Sequence, residues 1–498
     1  MRTLRALPLL ALGTALGACS LAPKYTTPLP PVSQTWPVGD AYLAQSEATL
    51  PVVSYTEVFR DPRLQQLIAR ALENNRDLRV AAANLAAARA QVRVIRADQF
   101  PAIGVSGSAT YSDRGNSRTV TSAGPGTGTG AGGTGGGTGV TTVNSNSGWT
   151  YSVQGGVSSF ELDFFGKYAN ATEAQRNTAL ATEAAARTVR LGLIADLAQA
   201  WATYGADRDR LAIAQATAKA AARSVELTSA RLRGGIAPRT DLRQAEQILE
   251  TARGDVAEQQ TALAQDANVA RLLVGAEIED ALLPASIGEV IASVAPLPAG
   301  TSSQVLLRRP DVVQAEYELR AANADIGVAR AQLFPSISLT SVLGFASTAL
   351  SSLFSGGAFN WSAGGDASYS VFNAGGRVAN VDVSKAQRDA SLASYERAIQ
   401  TAFREVADAL ADEGTLGERL RAASANTAAA ADTAKLTDAR YRYGVDSFLS
   451  SLDAQRSLYS AQQSEIATRL ALATNRVTLY RVLGGDAATA TPATAPRP

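Results

Sequence analysis

The chain has 498 residues, with 46 basic and 45 acidic side chains, one Cys, one Met and no His. A net charge of +1 lacks the basic excess of a nucleic-acid binder, and the missing histidine removes Ser-His-Asp and Cys-His nucleophile sites and His-ligated zinc. The single Cys excludes an intramolecular disulfide and a paired-cysteine metal knuckle, so no catalytic residue, cofactor or metal site is expected and the chain does not read as an enzyme.

Arg2 and Arg5 precede a short apolar stretch, Ala6 to Leu16. It is too short for a helical bilayer span of ~20 residues, so residues 1–18 read as a cleavable signal peptide. The stretch ends in Leu16-Gly17-Ala18-Cys19, which resembles a bacterial lipobox. That resemblance implies cleavage before Cys19, diacylglycerol on its sulfur and an acyl chain such as palmitate on its amine. Ser20, standing where Asp would divert the product, implies sorting to the outer membrane. No later stretch holds 18 uninterrupted apolar residues, so no helix is expected to span a membrane.

Residues 19–58 form an extended N-terminal segment, after which the chain is a tandem duplication. NRDLRVAAANLAAARAQVRVIRADQFP over 75–101 matches RPDVVQAEYELRAANADIGVARAQLFP over 309–335, with Asp77 against Asp311 and Leu85 against Leu319. Gly166-Lys167 matches Gly376-Arg377, Arg231-Leu232-Arg233 matches Arg440-Tyr441-Arg442, and Gly275 matches Gly484. Repeat 1 covers 59–275 and repeat 2 covers 305–485. Residues 276–304 link them, and a disordered Ala/Thr/Pro tail follows over 486–498.

Each repeat predicts a helix, two strands, a very long helix and a final helix. Leu64, Leu67, Ile68, Ala71, Leu72 and Leu78 share one stripe of a helix over 62–97. Phe100-Pro101 and Phe334-Pro335 stop the first helix of each repeat, since proline blocks its continuation. The period then changes to two. Strands are expected near 101–112, 149–164, 335–346 and 358–373; Ile103, Val105, Gly107, Ala109 and Tyr111 alternate in the first, and Phe359, Trp361, Ala363, Ala367, Tyr369 and Val371 in the last. Such ten-residue alternating runs suit transmembrane β-strands. The Gly/Thr/Ser tract from Ser112 to Gly148 cannot pack a core and reads as a solvated loop.

No proline interrupts 166–233 or 376–443, which predicts two helices of roughly 66 residues, on the order of 100 Å long at ~1.5 Å per residue. In the second, Leu392, Tyr395, Ile399, Phe403, Val406 and Leu410 form a seam spaced three and four. Turns at Gly234-Gly235-Ile236-Ala237-Pro238 and Gly444-Val445-Asp446 return the chain into helices over 239–274 and 447–483. Four strands cannot close in hydrocarbon, because edge N–H and C=O groups would go unpaired, so the chain must share a barrel with two, three or four copies.

Phe59-Arg60-Asp61-Pro62-Arg63-Leu64, then Leu307-Arg308-Arg309-Pro310-Asp311-Val312, and Leu162-Asp163-Phe164-Phe165-Gly166-Lys167 together resemble TolC-like outer-membrane efflux factors. The likeness is to the NodT-type lipoproteins that serve RND (resistance-nodulation-division) pumps, and it covers Cys19 to Gly485. It implies a mainly α fold with a membrane β-barrel portion: a homotrimer with a 12-stranded outer-membrane barrel and a long periplasmic α-helical barrel. It further implies lipid anchoring in the outer membrane, a periplasmic adaptor (membrane fusion protein) and an inner-membrane RND transporter as partners, and export of drugs or other small toxic compounds. Residue by residue, the resemblance marks Gly234, Gly235, Ile236, Gly444 and Val445 as adaptor-contact tips. It marks Leu449 and Asp453 as rings of a periplasmic gate, with Arg456 one turn on as a pairing partner. The same architecture in type I protein secretion or heavy-metal efflux is one alternative, and a non-channel periplasmic coiled-coil lipoprotein is another.

Overall fold

The structure, a computed structural model, describes residues 20–42, 54–112, 148–297 and 303–485. The signal peptide, Cys19, residues 113–147 of the Gly/Thr/Ser tract and the tail from 486 lie outside the described residues. In chain order the elements are α1 (Tyr55–Val58), α2 (Pro62–Asn74), α3 (Arg76–Ala97), β1 (Ile103–Ser112), β2 (Gly148–Glu161), α4 (Lys167–Arg233), α5 (Arg239–Val274), α6 (Ile287–Ser293), α7 (Pro310–Ala331), β3 (Ser336–Ser347), β4 (Phe359–Ser368), α8 (Gly376–Arg442) and α9 (Phe448–Val482). Two compact units divide the chain, and each draws on both copies of the duplication. Among the described residues, one takes 20–22, 93–112, 148–172 and 325–383, and the other takes 23–42, 54–92, 173–297, 303–324 and 384–485.

The first unit holds one antiparallel sheet in the order β1-β2-β3-β4. Period-two side chains put opposite chemistries on its two faces. Val105 pairs with Gly155, Gly155 with Leu343 and Leu343 with Trp361, while Tyr111 faces Trp149 and Phe345 faces both Val153 and Phe359. On the other face, Ser108 pairs with Ser152, Ser338 with Asp366 and Val342 with Ser362. A bulge between Val157 and Phe160 restores the register, bringing Phe160 opposite Leu339. The apolar alternation runs on to Val371, but β4 stops at Ser368. Its partner strand begins at Ser336, and Pro335 has no N–H with which to extend the ladder.

The second unit is built on the long helices. Leu64, Leu67, Ile68 and Ala71 of α2 are buried. The stripe over 62–97 is cut at Asn75, which leaves the helical region (ψ 136°), accepts the N–H groups of Asp77 and Leu78 at 2.8 and 3.1 Å, and donates to the Leu273 carbonyl at 2.8 Å. One buried asparagine therefore caps α3 and ties it to α5. Tyr395, Ile399, Val406 and Leu410 on the α8 seam are buried with Trp201, Phe59 and Tyr480 in a single core, where the Trp201 indole donates to the Leu282 carbonyl at 3.0 Å. Residues before and after the long helices join this core. Phe59 bridges to Val294, Ser286 caps α6, and Trp36 stacks on Phe403 with ring centroids 5.1 Å apart.

Candidate functional site

The two helical hairpins of the second unit end in the same backbone device. Gly235 (φ 73°) and Gly444 (φ 76°) adopt the left-handed conformation that only glycine enters without strain. In the first turn, Ile236 N–H donates to the Arg231 carbonyl and Gly235 N–H to that of Leu232, each at 3.0 Å. In the second, Val445 donates to Arg440 at 2.9 Å and Gly444 to Tyr441 at 3.0 Å. These paired bonds satisfy the last carbonyls of α4 and α8. The apolar residue that usually folds back on such a helix end stands out in solvent here: Ile236 is 77% and Val445 63% exposed.

Repeated residues take different work at the two tips. Arg440 forms a two-pronged pair with Asp446 at 2.6 and 3.0 Å, holding the second turn shut and the Asp446 carboxyl below its ordinary range. Its counterpart Arg231 reaches across instead, donating to the Tyr441 and Arg442 carbonyls at 3.2 and 3.0 Å, with its guanidinium 4.4 Å above the Tyr441 ring. A cation at the last carbonyls of α8 meets the negative end of that helix. The likeness of the two triplets flags the position, but pattern alone does not reveal the crossing contact.

Ser447 caps α9 by accepting from Ser450 N–H, and the first turns of α9 sort by face. Phe448, Ser451 and Leu452 are buried, Phe448 and Leu452 in a small cluster with Tyr441 and Ala245. Leu449, Asp453 and Arg456 lie on the exposed side. Leu449 and Asp453, four residues apart, share that face, with Leu449 54% exposed. Arg456 approaches Asp453 only to 4.0 Å. Gln244, the copy-one counterpart of Asp453, is also exposed. One turn beyond Arg456, the Tyr459 hydroxyl donates to Asp255 on α5 at 2.9 Å; burial, with the carboxylate beside it, pushes Tyr459 up to about 12. Sequence reasoning missed this link, because the partners lie 204 positions apart.

A family model described as outer membrane efflux protein matches residues 67–276 and 301–485. The probable efflux pump outer membrane protein TtgC of Pseudomonas putida is 41% identical over 478 residues, 94% of this chain and 93% of its own. The cation efflux system protein CusC of Escherichia coli K12 is 36% identical over 471 residues, 95% of this chain and 97% of its own. A crystal structure of CusC superposes with a TM-score of 0.80 over 94% of this chain and all of its own. The open state of the outer-membrane channel MtrE of Neisseria gonorrhoeae does so at 0.78, with 32% identity, over 94% and 98%.

Proposed function

The chain belongs to the outer membrane efflux protein family, and from that premise we propose that three copies form the outer-membrane duct of a tripartite efflux pump. The observation that carries this reading is the sheet. It has one apolar and one polar face, and among the described residues neither β1 nor β4 has a second partner strand. Such a sheet is a wall between hydrocarbon and water that is complete only when its edges are joined. Three copies of four strands give a 12-stranded barrel.

The remaining parts follow from this reading. The exposed Ile236 and Val445 at the Gly234-Gly235 and Gly444 turns offer apolar knobs to a periplasmic adaptor, which couples the duct to an inner-membrane transporter. Leu449 and Asp453 repeat around the trimer axis as an apolar ring and an acidic ring that constrict the periplasmic end. Arg456, at 4.0 Å, modulates the acidic ring and does not neutralise it. Cys19 carries the lipid. Its neighbour Ser20 donates to Asn170 in the first turn of α4 at 2.7 Å, and Arg330 in the last turn of α7 donates to the Leu21 carbonyl at 3.0 Å. Ser20 and Leu21, which follow the cysteine in the chain, are thereby tied to the residues that lead into and out of the sheet.

The cargo is small toxic molecules. P. putida relatives are named for toluene, solvent and antibiotic efflux and E. coli relatives for cations. The test is drug accumulation in a strain whose other outer-membrane ducts have been removed. Deleting this gene raises intracellular drug, and restoring it lowers the level again. Unchanged accumulation refutes the assignment.

A further inference from the structure

Where the strands give way to the long helices, the first unit has a half-open cavity of about 610 Å³. It falls within the range of ~300–1,000 Å³ that small-molecule sites occupy. Four charged side chains line it: Glu161, Asp163, Lys167 and Arg377. Two of them satisfy each other, since Lys167 Nζ lies 2.9 Å from Glu161 Oε2. Among the described residues, the other two have no charged partner. Asp163 uses Oδ2 to accept the Ala169 N–H at 2.8 Å, leaving Oδ1 buried without a partner. Arg377 lays its guanidinium 4.9 Å from the Tyr369 ring centre, leaving Nη1 buried without a partner. Buried charged atoms without partners are costly and rare in folded proteins. Here the residues that carry two such atoms, of opposite sign, line one cavity. Its wall also carries the stacked rings of Phe165 and Phe334, 4.4 Å between centroids.

We infer that this cavity binds zwitterionic amphiphiles: an ammonium paired with the Asp163 carboxylate, a carboxylate or phosphate paired with the Arg377 guanidinium, and an apolar body against Phe165 and Phe334. The same wall includes Ser336 and Ser368, which pair across β3 and β4 in the register of the polar face. On the duct reading above, that face lines the conduit, so the cavity is a stopping place for cargo carrying both charges. Binding itself does not depend on that reading.

Three probes with one phenyl body separate the contributions: L-phenylalanine carries both charges, 3-phenylpropionate only the anion and 2-phenylethylamine only the cation. Titration calorimetry on the full chain in detergent is expected to give L-phenylalanine at least ten-fold tighter binding than either single ion. Asp163→Asn reduces its affinity to that of 3-phenylpropionate, and Arg377→Gln to that of 2-phenylethylamine, while Arg377→Lys restores part of the difference. The comparison on the parent chain stands even if a variant misfolds. Equal affinities for the three probes, no binding of any, or variants that keep the preference overturn the inference. Bilayer conductance measured on the same preparation separates the two readings, since a chain that conducts but shows no preference keeps the duct and loses the site.

Discussion

Single residues carry the joints of this molecule, and two arginines show how. Arg309, 7% exposed, binds Asp311 at 2.7 and 3.1 Å, Glu405 at 2.8 Å and the Val482 carbonyl at 3.0 Å, so one guanidinium locks the start of α7 to α8 and to the end of α9. Before α2, outside the matched stretch that sets Arg309 against Asn75, the same residue types stand in reverse order as Asp61-Pro62-Arg63, and Arg63 binds Asp61 and then Glu289 at 3.0 Å. Arg309→Ala leaves the partly exposed Glu405 without its cation and is expected to lower stability by about 1.5–3 kcal/mol, read as an earlier denaturant midpoint, with Arg309→Lys losing less. An exposed surface pair would lose under ~1 kcal/mol, so a change that small removes the locking role. A second residue sets a pH dependence. Burial, and then the neighbouring charge of Asp207 (itself paired with Arg210), pushes Asp266 up to about 6. A carboxyl titrating near 6 in the fold and near ~3.9 when unfolded holds an extra proton in the fold between those values, so stability falls as pH rises through that window. Asp266→Asn is expected to flatten the fall in thermal midpoint between pH 4 and pH 6.5, and equal slopes in variant and parent would refute the cause. The arginine motifs are visible in sequence as strings, but their partners sit 96 and 226 positions away and are not.

At the scale of elements, pattern reads well wherever one period runs uninterrupted. The absence of proline and the three-four seam predict the two long helices, and α4 and α8 are each 67 residues. The seam residues Tyr395, Ile399, Val406 and Leu410 are buried. Pattern reads poorly where a side chain replaces the backbone's own bonds. Asn75 breaks a stretch whose apolar stripe continues across it, because its amide satisfies the N–H groups that α3 would otherwise leave open. The tips lie between these cases. Gly235 and Gly444 are recognisable as turn residues, yet only the structure shows that Ile236 and Val445 leave the helix ends they would ordinarily cover. If those residues are adaptor knobs, charge should remove them without touching the turns. Ile236→Asp combined with Val445→Asp is expected to abolish co-purification with the adaptor and to restore drug accumulation, while helix content and oligomer mass stay at parental values. Retained co-purification would move the docking surface elsewhere. On the neighbouring face of α9, Asp453→Ala is expected to weaken divalent-cation block from the periplasmic side in planar bilayers, because a ring of carboxylates at a constriction is what attracts such ions. Equal block in variant and parent would argue against an acidic ring.

Across the whole molecule, duplication and compactness do not coincide. Neither copy is a domain: β1 and β2 from the first pair with β3 and β4 from the second, and both compact units are assembled from pieces of each. A single copy would offer two strands with one apolar face, and even the joined sheet has its outer strands, β1 and β4, without a further partner strand among the described residues. Those edges make the number of chains a property of the barrel wall and not of any local motif, which is why composition and spacing leave two, three and four copies open. On the proposed trimer, the barrel is itself a membrane anchor, and the proposed lipid on Cys19 would be a second one. The two are separable by experiment. Cys19→Ser is expected to lose acyl labelling and yet to be extracted from the outer membrane as a species of three chains whose gel mobility shifts on boiling. The unmodified chain shows the same mass and the same shift, since closure depends on strand edges far along the chain from residue 19. A native mass of two or four chains would overturn the trimer. A variant recovered only as monomer would show instead that the lipid is needed before the edges can meet.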